Sequence, residues 1–223
     1  MLFGNPELYK RARQAKLGNS CLSGPLEEIR LWVNSRYSIN VIDVVYDTID
    51  LGPHEGRPRL NLIIETTQDY GKLNKDIINL KPNINRSILN TFSRIVAGSA
   101  SPSQYDTDNI HLITDDFSRE AMGRAAERFI RNETQAVVNK FPNANIWEIS
   151  GHSTLIVVFY YKEGEISQNQ KNGQNEAIRK VCYEGVKWYD EFDYFCPENF
   201  SLKFDSKENV DKNYEGSMFY YWR

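Results

Sequence analysis

Three carboxylates in two predicted strands are the side chains of this chain that best fit chemistry by type and spacing. Asp43 and Asp47 lie in a predicted strand over residues 39–50, and Glu65 lies in a second one over residues 59–67. Carboxylates can bind a divalent cation or transfer a proton. Asp43, Asp47 and Glu65 are therefore the candidate catalytic residues, and Asp43 and Glu65 are the candidate metal ligands.

A turn that is symmetric about His54 would pair the two strands as a hairpin. This register places Val44 opposite Ile64 on an apolar face, and Asp43 opposite Glu65 on the other face. Two opposed carboxylates destabilise a hairpin unless water, an arginine, a shared proton or a metal ion compensates their charge. The pairing depends on the register, because a shift by two residues separates the carboxylates.

Each acidic group also has a structural interpretation, which we prefer at this stage. In the hairpin, Arg59 can compensate Asp47 on a face that water covers. Asp115 and Asp116 follow a short apolar strand and precede a long predicted helix. Carboxylates at such a position either take part in metal sites or cap the helix, and we favour capping.

Other fingerprints of catalysis or nucleotide binding do not occur in the sequence. It contains no GxGxxG, no Walker lysine motif and no GxSxG elbow. The histidines are too scattered for a zinc motif; they are His54, His111 and His152. Cys182 lies on a predicted helix among apolar residues, so a buried structural thiol is a better interpretation than a nucleophile. The residues indicate no known family.

Composition is that of a folded cytoplasmic protein. Of the 223 residues 40% are hydrophobic, and the formal net charge is -3, which argues against a protein that coats nucleic acid. The longest apolar run, 154–161, is too short to span a membrane, and the first residues lack a secretory signal. Three cysteines without a CxxC pair are typical of reduced thiols in the cytosol; they are Cys21, Cys182 and Cys196.

Charge is spread unevenly along the chain. Residues 1–36 contain six Lys/Arg against three Asp/Glu, whereas residues 184–215 contain four Lys/Arg against nine Asp/Glu. The basic start, a predicted short surface helix or docking arm, would be able to dock on the acidic end of this chain or of a second copy. We favour the simpler interpretation, in which both segments are solvated surfaces.

The predicted elements indicate an α+β fold with a mainly antiparallel sheet flanked by helices. The order helix–strand–strand–helix occurs twice, at about 24–97 and 116–195. The polar segment 98–108 is the best linker, so we divide the chain into residues 1–98 and 109–223 and expect the two parts to pack as one globular domain.

The last residues are rich in aromatic side chains and are predicted to form a strand. More aromatics occur here than one buried stripe can hide, and exposed aromatic surface marks interaction sites. The candidate interface residues are Phe219, Tyr220, Tyr221 and Trp222. The leading hypothesis is therefore a non-catalytic cytoplasmic module, without a cofactor, that binds a protein partner or forms a homodimer.

Two other functions stay open at the level of the sequence. The alternative is a divalent-metal-dependent hydrolase or phosphoesterase that uses the acidic face of the first hairpin, with Asp115 or Asp116 contributing. A small-ligand binding domain is the third possibility, because the volume of a pocket cannot be read from a sequence. Neither nucleic acid nor a membrane is an expected partner.

Overall fold

Residues 2, 4–19, 22–50, 52–76 and 79–223 are described by a computed structural model. The chain divides into two compact units, Met1–Arg119 and Glu120–Arg223. Each unit contains a three-stranded sheet with helices around it, which confirms the α+β class. Cys21 lies outside the described residues. None of the described helices is long and apolar enough to cross a membrane.

The first unit has the order helix–helix–strand–strand–helix–helix–strand. Its elements are α1 (Pro6–Lys16), α2 (Gly24–Tyr37), β1 (Val41–Thr48), β2 (Pro58–Ile64), α3 (Thr67–Leu73), α4 (Pro82–Ala97) and β3 (His111–Asp116). Helices α1, α2 and α4 each have a proline in the first turn, where the missing N–H costs no hydrogen bond. In α4, Ile84, Ile88 and Phe92 follow one another at four-residue spacing and are buried against the sheet.

The sheet of the first unit is mixed, which corrects the expectation of a mainly antiparallel one. Strand β1 pairs antiparallel with β2, but β3 pairs parallel with β2. The reason is the connection: α3 and α4 carry the chain back to the starting end of β2, and a parallel neighbour needs such a crossover. Because β3 joins β2, the compact unit extends past the predicted linker at 98–108 and ends at Arg119.

The second unit is built in almost the same order. Its elements are α5 (Phe117–Lys140), which begins at the end of the first unit, β4 (Ile146–His152), β5 (Leu155–Tyr160), α6 (Glu163–Lys171), α7 (Gln174–Tyr189), β6 (Ser201–Ser206), α8 (Lys207–Asn213) and α9 (Met218–Tyr221). The predicted strand over residues 218–222 was wrong, since α9 is a helical turn. The carbonyl of Ser217 accepts the N–H groups of Tyr220 and Tyr221, both at 3.1 Å.

Both sheets share one topology. Strand β4 pairs antiparallel with β5, and β5 pairs parallel with β6, as in the first unit. The first strand of each sheet has an irregularity in the same place, between Val41 and Asp43 in β1 and between Ile146 and Glu148 in β4. The positions that follow also correspond, because Asp43 lies opposite Ile63 and Glu148 opposite Phe159.

Backbone hydrogen bonds at the end of the second strand repeat as well. The N–H of Ser118 bonds the carbonyl of Glu65 in the first unit at 2.9 Å, and the N–H of Glu208 bonds that of Tyr161 in the second at 3.3 Å. In each pair the donor lies at the start of the helix that follows the third strand, and the acceptor directly follows the second strand. The expected repetition of helix–strand–strand–helix is thus confirmed, and it extends to a second helix and a third strand.

One face of each sheet forms the main core of its unit. In the first unit, Val44, Leu62 and Ile64 are completely buried beneath α2 and α4. In the second, Ile156 and Val158 are completely buried with side chains of α5 and α7. The opposite face of each sheet, called here the second face, contains the polar and aromatic candidate residues.

Candidate functional site

The first hairpin does not pair in the predicted register. Backbone hydrogen bonds join Ile49 to Arg57 at 3.0 Å and Gly56 to Ile49 at 2.9 Å, which moves the centre of the turn away from His54. From Asp43 onward, each residue of β1 therefore lies opposite a residue of β2 that is two positions earlier than predicted. Asp43 lies opposite Ile63. The expected opposition of Asp43 and Glu65 is wrong. A shift of two residues leaves each side chain on the same face of the sheet, so the apolar face contains the predicted residues.

Asp47 and Arg59 are direct neighbours across the two strands. The guanidinium donates two hydrogen bonds to the carboxylate, from Nε at 2.7 Å and from Nη2 at 2.6 Å. This hydrogen bonding to Asp47 raises the pKa of Arg59, because it stabilises the charged form. Compensation of Asp47 by Arg59 is therefore confirmed.

Asp43 lies beneath α1 rather than in open solvent, and its side chain is only 2% exposed. Arg11 of α1 donates to both of its oxygens, from Nε at 2.7 Å and from Nη2 at 3.0 Å. The N–H of Val44 donates a further hydrogen bond at 2.8 Å. The basic start of the chain thus docks on the acidic face of the first hairpin, which corrects the favoured interpretation of a solvated surface.

The neighbouring acidic groups of this face are engaged as well. Glu65 accepts hydrogen bonds from Lys16 of α1 and from the side-chain amide of Asn40. Asp115 accepts hydrogen bonds from the N–H of Leu2 and from the amide of Asn61, both at 2.8 Å. Within the described parts of the chain, no three His, Cys, Asp or Glu side chains form a group able to hold a metal ion.

Asp116 caps the helix that follows it, as we favoured. Its Oδ1 accepts the N–H of Arg119 at 3.0 Å and the hydroxyl of Ser118 at 2.8 Å, while Thr67 donates to Oδ2 at 2.6 Å. An acceptor at this position satisfies a backbone donor that the first turn of a helix leaves free. The two adjacent aspartates therefore have different roles. Asp116 caps the helix, whereas Asp115 lies on the second face of the sheet.

The second face of the other sheet is covered by Val210 of α8 and by the aromatic side chains of Tyr214, Tyr221 and Trp222. Tyr221 packs against Phe159, with ring centroids 5.0 Å apart, and its hydroxyl donates to Asp205 at 2.7 Å. Burial is the first cause that raises the pKa of Tyr221, and Asp205 adds to it. Of the four candidate interface residues, Tyr221 and Trp222 are half-buried, whereas Phe219 and Tyr220 are 62% and 47% exposed.

A shallow groove opens beside these exposed rings, and we call it the C-terminal groove. It has a volume of about 410 Å³ and is lined by Ser150, Gly151, His152, Met218, Phe219, Trp222 and Arg223. The guanidinium of Arg223 lies 4.2 Å from the centroid of the Phe219 ring, a cation–π contact. The groove therefore joins aromatic surface to two side chains that can carry positive charge, His152 and Arg223.

Comparison with known proteins provides no functional assignment. No protein-family model, curated protein or solved structure matches the chain.

One candidate residue of the second unit was not predicted from the sequence. Glu148 occupies the position in β4 that Asp43 occupies in β1, and it is half-buried. Burial raises the pKa of its carboxyl group. Among the described residues, no side chain or backbone group forms a hydrogen bond or ion pair with this carboxylate. Only the correspondence of the two sheets identifies it, because neither its neighbours nor its spacing forms a motif.

The cysteine and histidine side chains considered from the sequence differ in their surroundings. Cys182 is buried in the core of the second unit, and burial raises the pKa of its thiol to about 12, so it is no nucleophile. His54 and His111 lie in contact, with ring centroids 4.8 Å apart. Burial, with further effects from His54 and two arginines, lowers the pKa of His111.

Proposed function

We propose that this protein is a non-catalytic protein-binding module that holds a short segment of a partner protein in the C-terminal groove. The observation that carries the proposal is the exposure of Phe219 and Tyr220 directly beside the groove. Exposed aromatic side chains next to a concave surface are typical of binding sites, because they provide large contact area at little conformational cost.

The attachment of α9 supports this role. Tyr221 and Trp222 pack on the sheet, and the hydroxyl of Tyr221 is bonded to Asp205. These two anchors hold the short helix in place, so Phe219 does not need to be ordered when a partner binds. A preorganised aromatic side chain loses less entropy on binding than a mobile one.

The size of the surface favours a segment of a partner over a second copy of the whole chain. At their observed exposures, Phe219 and Tyr220 together offer roughly 200 Å² of side-chain surface. A stable dimer buries roughly 800 Å² on each subunit. A peptide-sized partner needs less area, and a single aromatic anchor can supply much of its affinity.

The state of the acidic residues supports binding rather than metal-dependent hydrolysis. Asp43, Asp47 and Glu65 each accept hydrogen bonds from a cationic side chain of the first unit. A divalent cation would have to displace these partners before it could use the carboxylates. For this reason the metal-dependent hydrolase is not carried further as a candidate function.

We assign the module to the cytoplasm as part of the same proposal. Cys182 and Cys196 are free thiols, and free thiols persist in the reducing environment of the cytosol. Location is tested by fractionation of cells that carry the tagged full chain. Recovery from a secreted fraction with oxidised thiols contradicts this assignment.

Site-specific photo-cross-linking tests the binding function. A photoreactive phenylalanine analogue replaces Phe219 or Tyr220 in the full chain and, as the matched control, Trp188, which is 85% exposed but lies outside the groove. We expect the same discrete partner from positions 219 and 220 and none from position 188. For the captured partner, Phe219→Ala should weaken binding at least tenfold, about 1.4 kcal/mol.

Other outcomes of this experiment count against the proposal. Equal cross-linking from positions 188 and 219 would mean that the groove has no special affinity. Cross-links to a second copy of the chain, together with a dimer in sedimentation analysis, would replace partner binding by self-association.

A further inference from the structure

We infer that the partner places a lysine or arginine against Glu148, as α1 places Arg11 against Asp43 in the first unit. The inference rests on the proposed function and names the chemistry of its partner. The two sheets of the chain share one topology and have a carboxylate at the same position. In the first sheet a cation binds this carboxylate, and in the second none does among the described residues.

The two carboxylates occupy corresponding positions. Each follows the irregularity in the first, edge strand of its sheet, and the residue opposite each is an apolar side chain of the second strand, Ile63 or Phe159. In the first unit α1 covers this position, and Arg11 donates to both carboxylate oxygens. This arrangement shows which chemistry satisfies a carboxylate on the second face of such a sheet.

Lys207, a cation that lies against the neighbouring residue Trp147, is already bound elsewhere. The ammonium group of Lys207 lies 5.5 Å from the centroid of the Trp147 ring, next to Glu148 in sequence. Both oxygens of Asp211 hold that ammonium, at 2.8 and 2.6 Å. Glu148 therefore stays without a compensating charge within the described structure, and a partial loss of water makes this unfavourable.

The C-terminal groove lies on the same side of β4 as Glu148. Successive side chains of a strand alternate between faces, so Glu148, Ser150 and His152 project to one face. Ser150 and His152 line the groove. A peptide bound there is therefore able to put a side chain on the aromatic surface and a basic one on Glu148.

A charged group of the groove limits which peptides fit. Arg223 repels a segment that is basic throughout. The expected partner therefore has one basic residue for Glu148, with an apolar or aromatic residue for the rings of Phe219 and Trp222. The probe is a peptide with the sequence of residues 5–17 in which Lys10, Arg13 and Lys16 are replaced by glutamine. It keeps Arg11 as its one basic side chain and Tyr9 as its aromatic one.

The test measures binding of this peptide to the full chain by calorimetry at pH 7.5. We expect Glu148→Gln to weaken binding about tenfold, because a charge-assisted hydrogen bond to a half-buried carboxylate is lost. Glu184→Gln is the matched control, since Glu184 is exposed on α7 and the variant changes the net charge equally. Replacing Arg11 of the peptide by glutamine should weaken binding to the wild type but not to Glu148→Gln.

The pH dependence provides a second readout. Binding of a cation favours ionised Glu148, so affinity for the wild type should fall as the pH drops through the raised pKa of this group. His152 and Lys207 are the other ionisable groups near this part of the surface. Glu148→Gln retains both groups, so the difference between the two proteins isolates Glu148.

The outcomes separate this inference from the proposed function. Equal affinity of the wild type and Glu148→Gln overturns the inference, and so does failure of the peptide to bind at millimolar concentration. If Phe219→Ala weakens binding while Glu148→Gln does not, the groove binds partners without a cation at Glu148. Failure of the function itself appears in the cross-linking pattern, which needs no peptide.

Discussion

Asp43 and Glu148 occupy the same position in two sheets of one topology, but their surroundings differ. Asp43 is buried beneath α1 with Arg11 on both oxygens, whereas Glu148 is half-buried without a cation or hydrogen-bond donor among the described residues. The first unit therefore uses this position for stability. In the second unit the carboxylate at the same position has no such partner among the described residues, and this difference motivates the first two predictions.

Replacement of Arg11 by alanine should destabilise the first unit. The substitution leaves the Asp43 carboxylate buried with a single N–H donor, that of Val44. We expect a loss of about 2 kcal/mol in the free energy of unfolding, measured by denaturant titration, together with faster hydrogen exchange in α1. Lys10→Ala is the control, since Lys10 is an exposed residue of the same helix. Equal effects of the two variants would contradict a specific role for the Arg11–Asp43 pair.

Replacement of Glu148 by glutamine should stabilise the free protein at neutral pH. A carboxyl group whose pKa is raised on folding favours the folded state below its ordinary pKa and loses that contribution as the pH rises through the raised value. The advantage of Glu148→Gln should therefore grow over this range and stay constant above it. Denaturant unfolding at pH 4 and pH 7 measures it. A variant less stable than the wild type at pH 7 would reveal a cation at Glu148 in the free protein.

Features that depend on side-chain alternation could be predicted from the sequence. Val44 and Ile64 are buried as expected, because a shift of the hairpin by two residues leaves every side chain on its face. The compensation of Asp47 by Arg59 also followed from their closeness on one face. The register itself depends on the Ile49–Arg57 hydrogen bond inside a nine-residue loop, and composition does not encode the centre of such a loop.

Features that depend on distant contacts could not be predicted. The parallel pairing of β3 with β2 brings together segments separated by two helices. Helix α9 is too short for its periodicity to distinguish a helix from a strand. Glu148 was missed for a different reason: its significance appears only when β4 is compared with β1, and the sequences of these strands show no clear identity.

The described cysteines should differ strongly in reactivity. Cys182 is completely buried and its pKa is raised to about 12, whereas Cys196 is half-buried. At pH 8 an alkylating reagent should modify Cys196 in the native protein and leave Cys182 unmodified, because little thiolate forms and the reagent has no access. Peptide mass spectrometry resolves the two sites. Labelling of Cys182 at the rate seen in denaturant would show that the core of the second unit opens readily.

Two glycines of the second unit should respond oppositely to alanine. A Cβ atom at Gly151 would lie 2.5 Å from Cδ1 of Ile130 and 2.6 Å from the carbonyl oxygen of Leu155. Gly151→Ala should therefore cost about 2–3 kcal/mol. At Gly123, inside α5, the nearest atoms belong to Ser153 at 3.9 Å, so Gly123→Ala should stabilise by up to about 1 kcal/mol. Denaturant unfolding of both variants measures the pair, and a tolerated alanine at position 151 would contradict the described packing.

Asn61 provides a test of the correspondence between the two sheets. It is a buried residue of β2 whose amide donates to Asp115, but its Oδ1 has no hydrogen-bond partner, and the corresponding residue of β5 is Val157. Asn61→Val removes the unsatisfied oxygen, and Asp115 still accepts the N–H of Leu2. We expect the free energy of unfolding to stay unchanged or to rise by up to about 1 kcal/mol.

Asn61→Asp is the contrasting variant, because it keeps the shape of the side chain but adds a buried carboxylate beside the half-buried one of Asp115. Like charges in a partly dry site are unfavourable, so this variant should lose about 2–3 kcal/mol at pH 7 and regain stability as the pH falls and a carboxyl group protonates. Denaturant unfolding of the two variants at pH 5 and pH 7 decides the matter. If valine destabilises the protein as much as aspartate does, position 61 needs its amide group. The two sheets would then differ in what this position requires, since β5 has Val157 there.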